Sequence, residues 1–257
     1  MIKREIIVCK DSDELNRKAA AQYIALAGDA IARSGRFAVA LSGGSTPAAL
    51  YSLLAARDFC DRVDWPRVHL FWGDERCVPP DHPDSNFRMV RENLLAKIQI
   101  PTANIHRIMG EKEPRQAASV YEAELKNFFG PGGGALPRFD LIFLGLGDDG
   151  HTASLFPGTD AADETTRLVA VAYVERLRSH RLTLTLPVIN AAAQVVFLVS
   201  GKSKAAIVGA VLGSDADSAR YPAAMVRPSD GELTWLMTAD AATNLPPGAL
   251  KALAVPA

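Results

Sequence analysis

A chain of 257 residues, 48% hydrophobic and 22% charged, is ordinary in composition for a globular protein and long enough to bury a large core. With 28 Lys and Arg against 29 Asp and Glu, its net charge of −1 excludes a general attraction to nucleic acid or to an anionic membrane, so an anion must be held by a local cluster. Cys9, Cys60 and Cys77 share no metal-ligand spacing, no apolar run approaches membrane-spanning length and the N-terminus lacks a signal-peptide core, so reduced thiols in a cytoplasmic protein are expected.

In chain order, residues 5–8 read as a short strand. Asp11 and Ser12 offer an N-cap for a long helix over 13–33, closed by Gly35. Residues 37–41, FAVAL, form a buried strand, and LSGGSTP (41–47) follows it. Pro47 suits a first helical turn, and Leu50, Tyr51 and Leu54 give the helix an apolar face. Strand, glycine-hydroxyl turn and helix N-terminus in succession make a cradle for an anion such as phosphate, built on Gly43, Gly44, Ser45 and Thr46. The turn is neither a Walker A loop, lacking Gly-Lys-Ser/Thr, nor a G-x-S-x-G nucleophile elbow.

Residues 68–72, VHLFW, are the next buried strand, with His69 a structural ring inside it. Gly73, Asp74, Glu75 and Arg76 follow as a polar loop, solvated or lining a site. The permanent charge of Arg76 suits a carboxylate, a phosphate or a developing oxyanion. Proline then interrupts regular structure around an exposed His82, before a helix over 86–95 capped by Ser85. Residues 105–108 read as a strand with a structural His106. Residues 113–129 read as an amphipathic helix with Ala117, Val120, Tyr121, Leu125 and Phe128 on its apolar side. The glycine-rich patch 130–134 reads as a surface connection.

The stretch 139–158, FDLIFLGLGDDGHTASLFPG, is the centre of the functional reading. An apolar strand over 141–146 breaks into a glycine-aspartate turn, and His151 follows at once. Strand C-terminal ends are where open α/β sheets bind ligands, and a histidine there suits general acid or base work. Gly145, Gly147 and Gly150 also spell G-x-G-x-x-G, but Pro157-Gly158 leaves no room for the helix a dinucleotide needs, so no nicotinamide cofactor is expected. Strands over 168–172 and 182–186 (LTLTL) come next, the second alternating so that one face is polar. A helix from Pro187 to Ala193 and a strand over 195–199 follow. Ser200-Gly201-Lys202-Ser203-Lys204 then opens another helix. Lys204 in a first helical turn opposes the dipole, which an anionic partner explains, and Arg181 is a second candidate cation. A last strand covers 233–237, before a proline-rich tail. Strands alternating with helices imply one α/β domain, 1–257, with a mostly parallel, helix-covered sheet.

Four motifs in order, LSGGSTP (41–47), WGDERCVP (72–79), GLGDDGHTASLFPG (145–158) and the run from HRLTLTLP (180–187) to GKSKA (201–205), resemble the 6-phosphogluconolactonase family, related to the glucosamine-6-phosphate deaminases. The resemblance implies a Rossmann-like sheet with helices on both faces. It implies an enzyme of the oxidative pentose phosphate pathway that opens 6-phosphogluconolactone; such a lactone is an activated ester, so neither cofactor nor metal is expected, and the chain is expected as a monomer or homodimer. It also implies that Gly43, Gly44, Ser45, Thr46, Arg181 and Lys204 hold the substrate phosphate, that His151 is the catalytic base, and that Asp74 and Arg76 line the sugar end. Asp149 is then the residue to orient the imidazole. The alternatives are a deaminase-type isomerase and a non-catalytic sugar-phosphate sensor. The deaminase pattern has an acid five residues after the histidine and typically Tyr at the arginine position, where this chain has Phe156 and Arg76.

Overall fold

A computed structural model describes residues 3–130, 135–175, 178–213, 220–246 and 249. The connection expected at 130–134 lies, from 131 on, outside the described residues, as does most of the proline-rich tail. The elements run β1 (Lys3–Cys9), α1 (Ser12–Ser34), β2 (Phe37–Leu41), α2 (Ser45–Leu54), α3 (Arg57–Cys60), β3 (Val68–Trp72) and β4 (Asp74–Arg76). They continue with α4 (Asn86–Val90), β5 (Ile105–His106), α5 (Pro114–Phe129), β6 (Leu141–Leu144), β7 (Val169–Val174) and β8 (Ser179–Leu184). The chain closes with α6 (Leu186–Asn190), β9 (Gln194–Val199), α7 (Ala205–Leu212), α8 (Pro222–Met225) and β10 (Glu232–Thr238).

Seven strands form one parallel sheet in the order β1-β10-β9-β6-β2-β3-β5. β2, β6 and β9 are buried along their whole length, which is why they read as unbroken apolar runs. Helices cover both faces. From α1, Tyr23 sets its ring against Phe37 and Phe143; on the opposite face, Phe128 and Phe129 of α5 meet Phe71. α1 starts where the sequence places its cap, since the Asp11 carboxylate accepts from Glu14 N at 2.9 Å, and it ends at Gly35.

Four expectations are corrected. The charged residues after β3 are not a loop: β4 pairs antiparallel with β8, and β8 with β7, making a second sheet of three strands. Asp74 and Glu75 are accordingly buried, not solvated. The helix at 86–95 is α4 followed by a π-helical turn, Arg91–Leu95, although Ser85 caps it as its sequence suggests, accepting from Arg88 N at 3.1 Å. Val120 is exposed, off the apolar stripe of α5. Both polar residues of the LTLTL alternation are fully buried, Thr185 and, within β8, Thr183. Thr183 accepts from Ser154 N and donates to the Leu184 carbonyl.

Candidate active site

Strand order decides where a ligand can sit. β9, β6, β2 and β3 are neighbours, and each releases one of the polar motifs at its C-terminal end. From β2 the chain runs outward through β3 to β5, then returns on the other side at β6. Such a reversal opens a crevice beyond the strand ends. Here it is a cleft of about 260 Å³, lined by the residues after β2, β6 and β9 together with Asp74, Arg76 and Arg181 of the small sheet.

The cradle after β2 is held from below. Ser42 N donates to the buried Tyr51 hydroxyl, which donates in turn to the Ser42 carbonyl, both at 2.9 Å. Gly44 takes φ 106°, accessible to glycine, and as N-cap of α2 it puts no side chain over the first N–H groups. The first turn of α2 also lacks an acidic residue, so its positive end faces the cleft uncompensated. Thr46 Oγ1 lies 2.6 Å from Ser200 Oγ, tying the cradle to the segment after β9.

That segment carries Lys204 at the N-terminus of α7, where its Nζ donates to Asp148 Oδ1 at 2.6 Å. Opposite stand two arginines. In the β4–β8 ladder Arg76 and Arg181 are direct partners. Like charges in such a pair repel, yet both reach the same cleft, an arrangement that a bound anion stabilises. Arg76 Nη1 donates to the Asp84 carbonyl at 2.6 Å, while its buried Nε has no hydrogen-bond partner in the protein.

His151 lies where β6 breaks. Its Nδ1–H donates to Asp149 Oδ1 at 2.5 Å, its backbone N–H reaches the same oxygen at 3.1 Å, and Phe156 stacks on the ring with centroids 4.2 Å apart. Gly147 must be glycine, because a Cβ there would fall 2.0 Å from His151 Nδ1. With Nδ1 committed, Nε2 is the nitrogen left with a lone pair for chemistry. Asp74, 5% exposed, is fixed at both oxygens: Ser154 Oγ–H donates to Oδ2 at 2.7 Å, and Asn86 Nδ2 to Oδ1 at 3.3 Å.

Of the candidate site residues, Gly43, Gly44, Ser45, Thr46, Asp74, Arg76, His151, Arg181 and Lys204 all line the cleft, and Asp149 stands behind His151. Ser154, three residues beyond His151, is fully buried with its hydroxyl on Asp74. Sequence reasoning missed Asn86 and Glu75, which brace β4. Their sequence trace is no more than the serine and asparagine that open α4, which read as an ordinary helix cap. Among the described residues no group of three or more His, Cys, Asp or Glu is disposed to hold a metal ion, and no helix is long and apolar enough to cross a membrane.

Residues 10–235 match the family described as glucosamine-6-phosphate isomerases/6-phosphogluconolactonase. The chain belongs to this family. Two relatives named 6-phosphogluconolactonase, from Synechocystis sp. and Nostoc sp., are 48% and 40% identical to it. The first alignment covers 85% of this chain and 88% of the relative, the second 95% and 99%. Among solved structures, 6-phosphogluconolactonase from Trypanosoma brucei superposes with a TM-score of 0.84 at 29% identity, covering 96% of this chain and all of that one. A monomeric glucosamine-6-phosphate deaminase superposes at 0.77 with 21% identity, a likeness of fold. The mostly parallel sheet under helices is thus the fold of both branches of the family.

Proposed function

We propose that His151 is the general base that drives water onto the lactone carbonyl of 6-phosphogluconolactone. Opening of that lactone to 6-phosphogluconate is the activity, on the strength of the family and of the relatives that carry its name over most of the chain. Gly43, Gly44, Ser45, Thr46, Arg181 and Lys204 grip the phosphate, and this remote binding energy holds the ring against the imidazole. His151 Nε2 takes a proton from water as the water oxygen bonds to C1. The carbonyl electrons move onto its oxygen, which Arg76 or the glycine-turn N–H groups stabilise. When that intermediate collapses the C1–ring oxygen bond breaks, and the imidazolium returns its proton to the departing oxygen. Asp149 fixes the tautomer, and Asp74 contacts the sugar. The ester is activated enough that neither metal nor covalent nucleophile takes part.

The observation that carries this reading is the Arg76–Arg181 pair, two guanidinium groups opposed across a ladder in the same cleft as His151. Phe156, stacked where the deaminases have an acid, cannot move protons, which favours lactone hydrolysis over ring-opening deamination. The same reading makes the chain one domain. It also places the enzyme in the cytoplasm, where the free thiols Cys9, Cys60 and Cys77 stay reduced.

The test is a pH-stat assay. The purified chain, before and after dialysis against EDTA, should accelerate acid release from 6-phosphogluconolactone above the spontaneous rate and release no ammonia from glucosamine 6-phosphate. Ammonia release without lactone hydrolysis overturns the assignment.

A further inference from the structure

Between the two cleft-lining residues of β4 stands a carboxylate that the cleft does not contain. Alternation along the strand sends Glu75 to the other face, where 2% of it is exposed. A carboxylate is costly to bury unless donors converge on it. Four do so here. Oε1 accepts from Arg76 N at 2.8 Å and Asn86 N at 2.7 Å; Oε2 accepts from Phe87 N at 2.8 Å and from the Ser85 hydroxyl at 3.1 Å. Ser85 Oγ already accepts from Arg88 N, so its proton is available to Glu75. Burial pushes the carboxyl pKa up, and the N–H groups of Phe87, Arg76 and Asn86 draw it back.

One side chain thus ties together the two ends of the irregular excursion at 77–84. The tie reaches the cleft twice. Asp84, adjacent to Ser85, offers the carbonyl that receives Arg76 Nη1 at 2.6 Å. Asn86 donates Nδ2 to the Asp74 carbonyl at 2.9 Å and to its carboxylate at 3.3 Å. The guanidinium needs such a hold, since a long flexible stem opposed to a second arginine otherwise swings away from it.

We propose that Glu75 is a positioning residue of the lactonase reaction: by stapling residues 85–87 to β4 it fixes the Asp84 carbonyl that aims Arg76 into the cleft. The proposal rests on the reading of Arg76 as a cation that touches substrate. A carboxylate is required because all four partners are donors, and a carboxamide turns an N–H group toward some of them.

A double-mutant cycle tests it, with lactone hydrolysis measured for wild type, E75Q, R76A and E75Q/R76A, each corrected for folded fraction by circular dichroism and calorimetry. E75Q should lose about tenfold or more in kcat/KM, while the same substitution in the R76A background costs less than about threefold. Equal losses in both backgrounds, the signature of a general structural role, overturn the proposal, as does wild-type kcat/KM in E75Q. If E75Q does not fold, S85A replaces it in the cycle. It removes one of the four donors, so a loss of about threefold in the wild-type background and none in R76A is expected. R76A at wild-type rates removes the premise and the proposal with it, and because that shows in R76A alone the two failures are distinct.

Discussion

Two histidines of this chain have almost the same surroundings and opposite prospects. His151 donates Nδ1–H to Asp149 at 2.5 Å and stacks on Phe156; His106 donates Nδ1–H to Glu124 at 2.8 Å and stacks on Phe71, both stacks having centroids 4.2 Å apart. A carboxylate partner and an aromatic platform therefore do not make a catalytic imidazole. The difference lies at the second nitrogen. His106 Nε2 accepts from His69 Nδ1–H at 3.2 Å, closing a chain at the β3–β5 edge under α5, whereas His151 belongs to the lining of the cleft.

The largest expected effect breaks the comparison at that point. H151A should lower kcat by about 10²–10⁴ in the pH-stat assay while 6-phosphogluconate still binds, whereas H106A should leave kcat within about threefold. Comparable losses in both variants would mean that position in the fold does not separate the two rings. Next come the two cations proposed to hold the phosphate. R181A or K204A should weaken 6-phosphogluconate binding, read by calorimetry, by about 1.5–3 kcal/mol each, the value of a hydrogen bond to a charged group. Indifference to both would move the phosphate elsewhere.

The smallest effect concerns the other histidine cluster and is one of stability. Burial, then the neighbouring His106 and Arg36, lower the pKa of His69 from its ordinary 6.5 to about 4. The folded chain therefore binds fewer protons there than the unfolded chain, so stability is complete above the unfolded value and declines as pH falls from about 6.5 toward about 4. Across that window the loss should be on the order of 2 kcal/mol, followed by denaturant titration at several pH values, and H69L should flatten it. An unchanged slope in H69L would assign the acid sensitivity to other groups.

The large sheet and the residues on its loops were legible in the sequence, because buried parallel strands are apolar runs and the turns after them are spelled in glycine, serine and aspartate. Three-residue β4 was not. Its partner, β8, lies more than a hundred residues away, and no local pattern in Asp74-Glu75-Arg76 announces a strand. The burial of Glu75 and the bracing of Asp74 by Ser154 and Asn86 depend on that non-local pairing, so reading single residues could not reveal them. The LTLTL alternation did report two unlike faces, although its polar side turned inward.

The walls of the cleft hang from different frameworks. Cradle, imidazole and lysine descend from the seven-stranded sheet, while Asp74, Arg76 and Arg181 sit on a separate three-stranded ribbon. The two frameworks can therefore drift independently over generations: a descendant keeping the big sheet and Arg181 intact needs to rewrite only a few other ribbon positions to admit another phosphorylated metabolite.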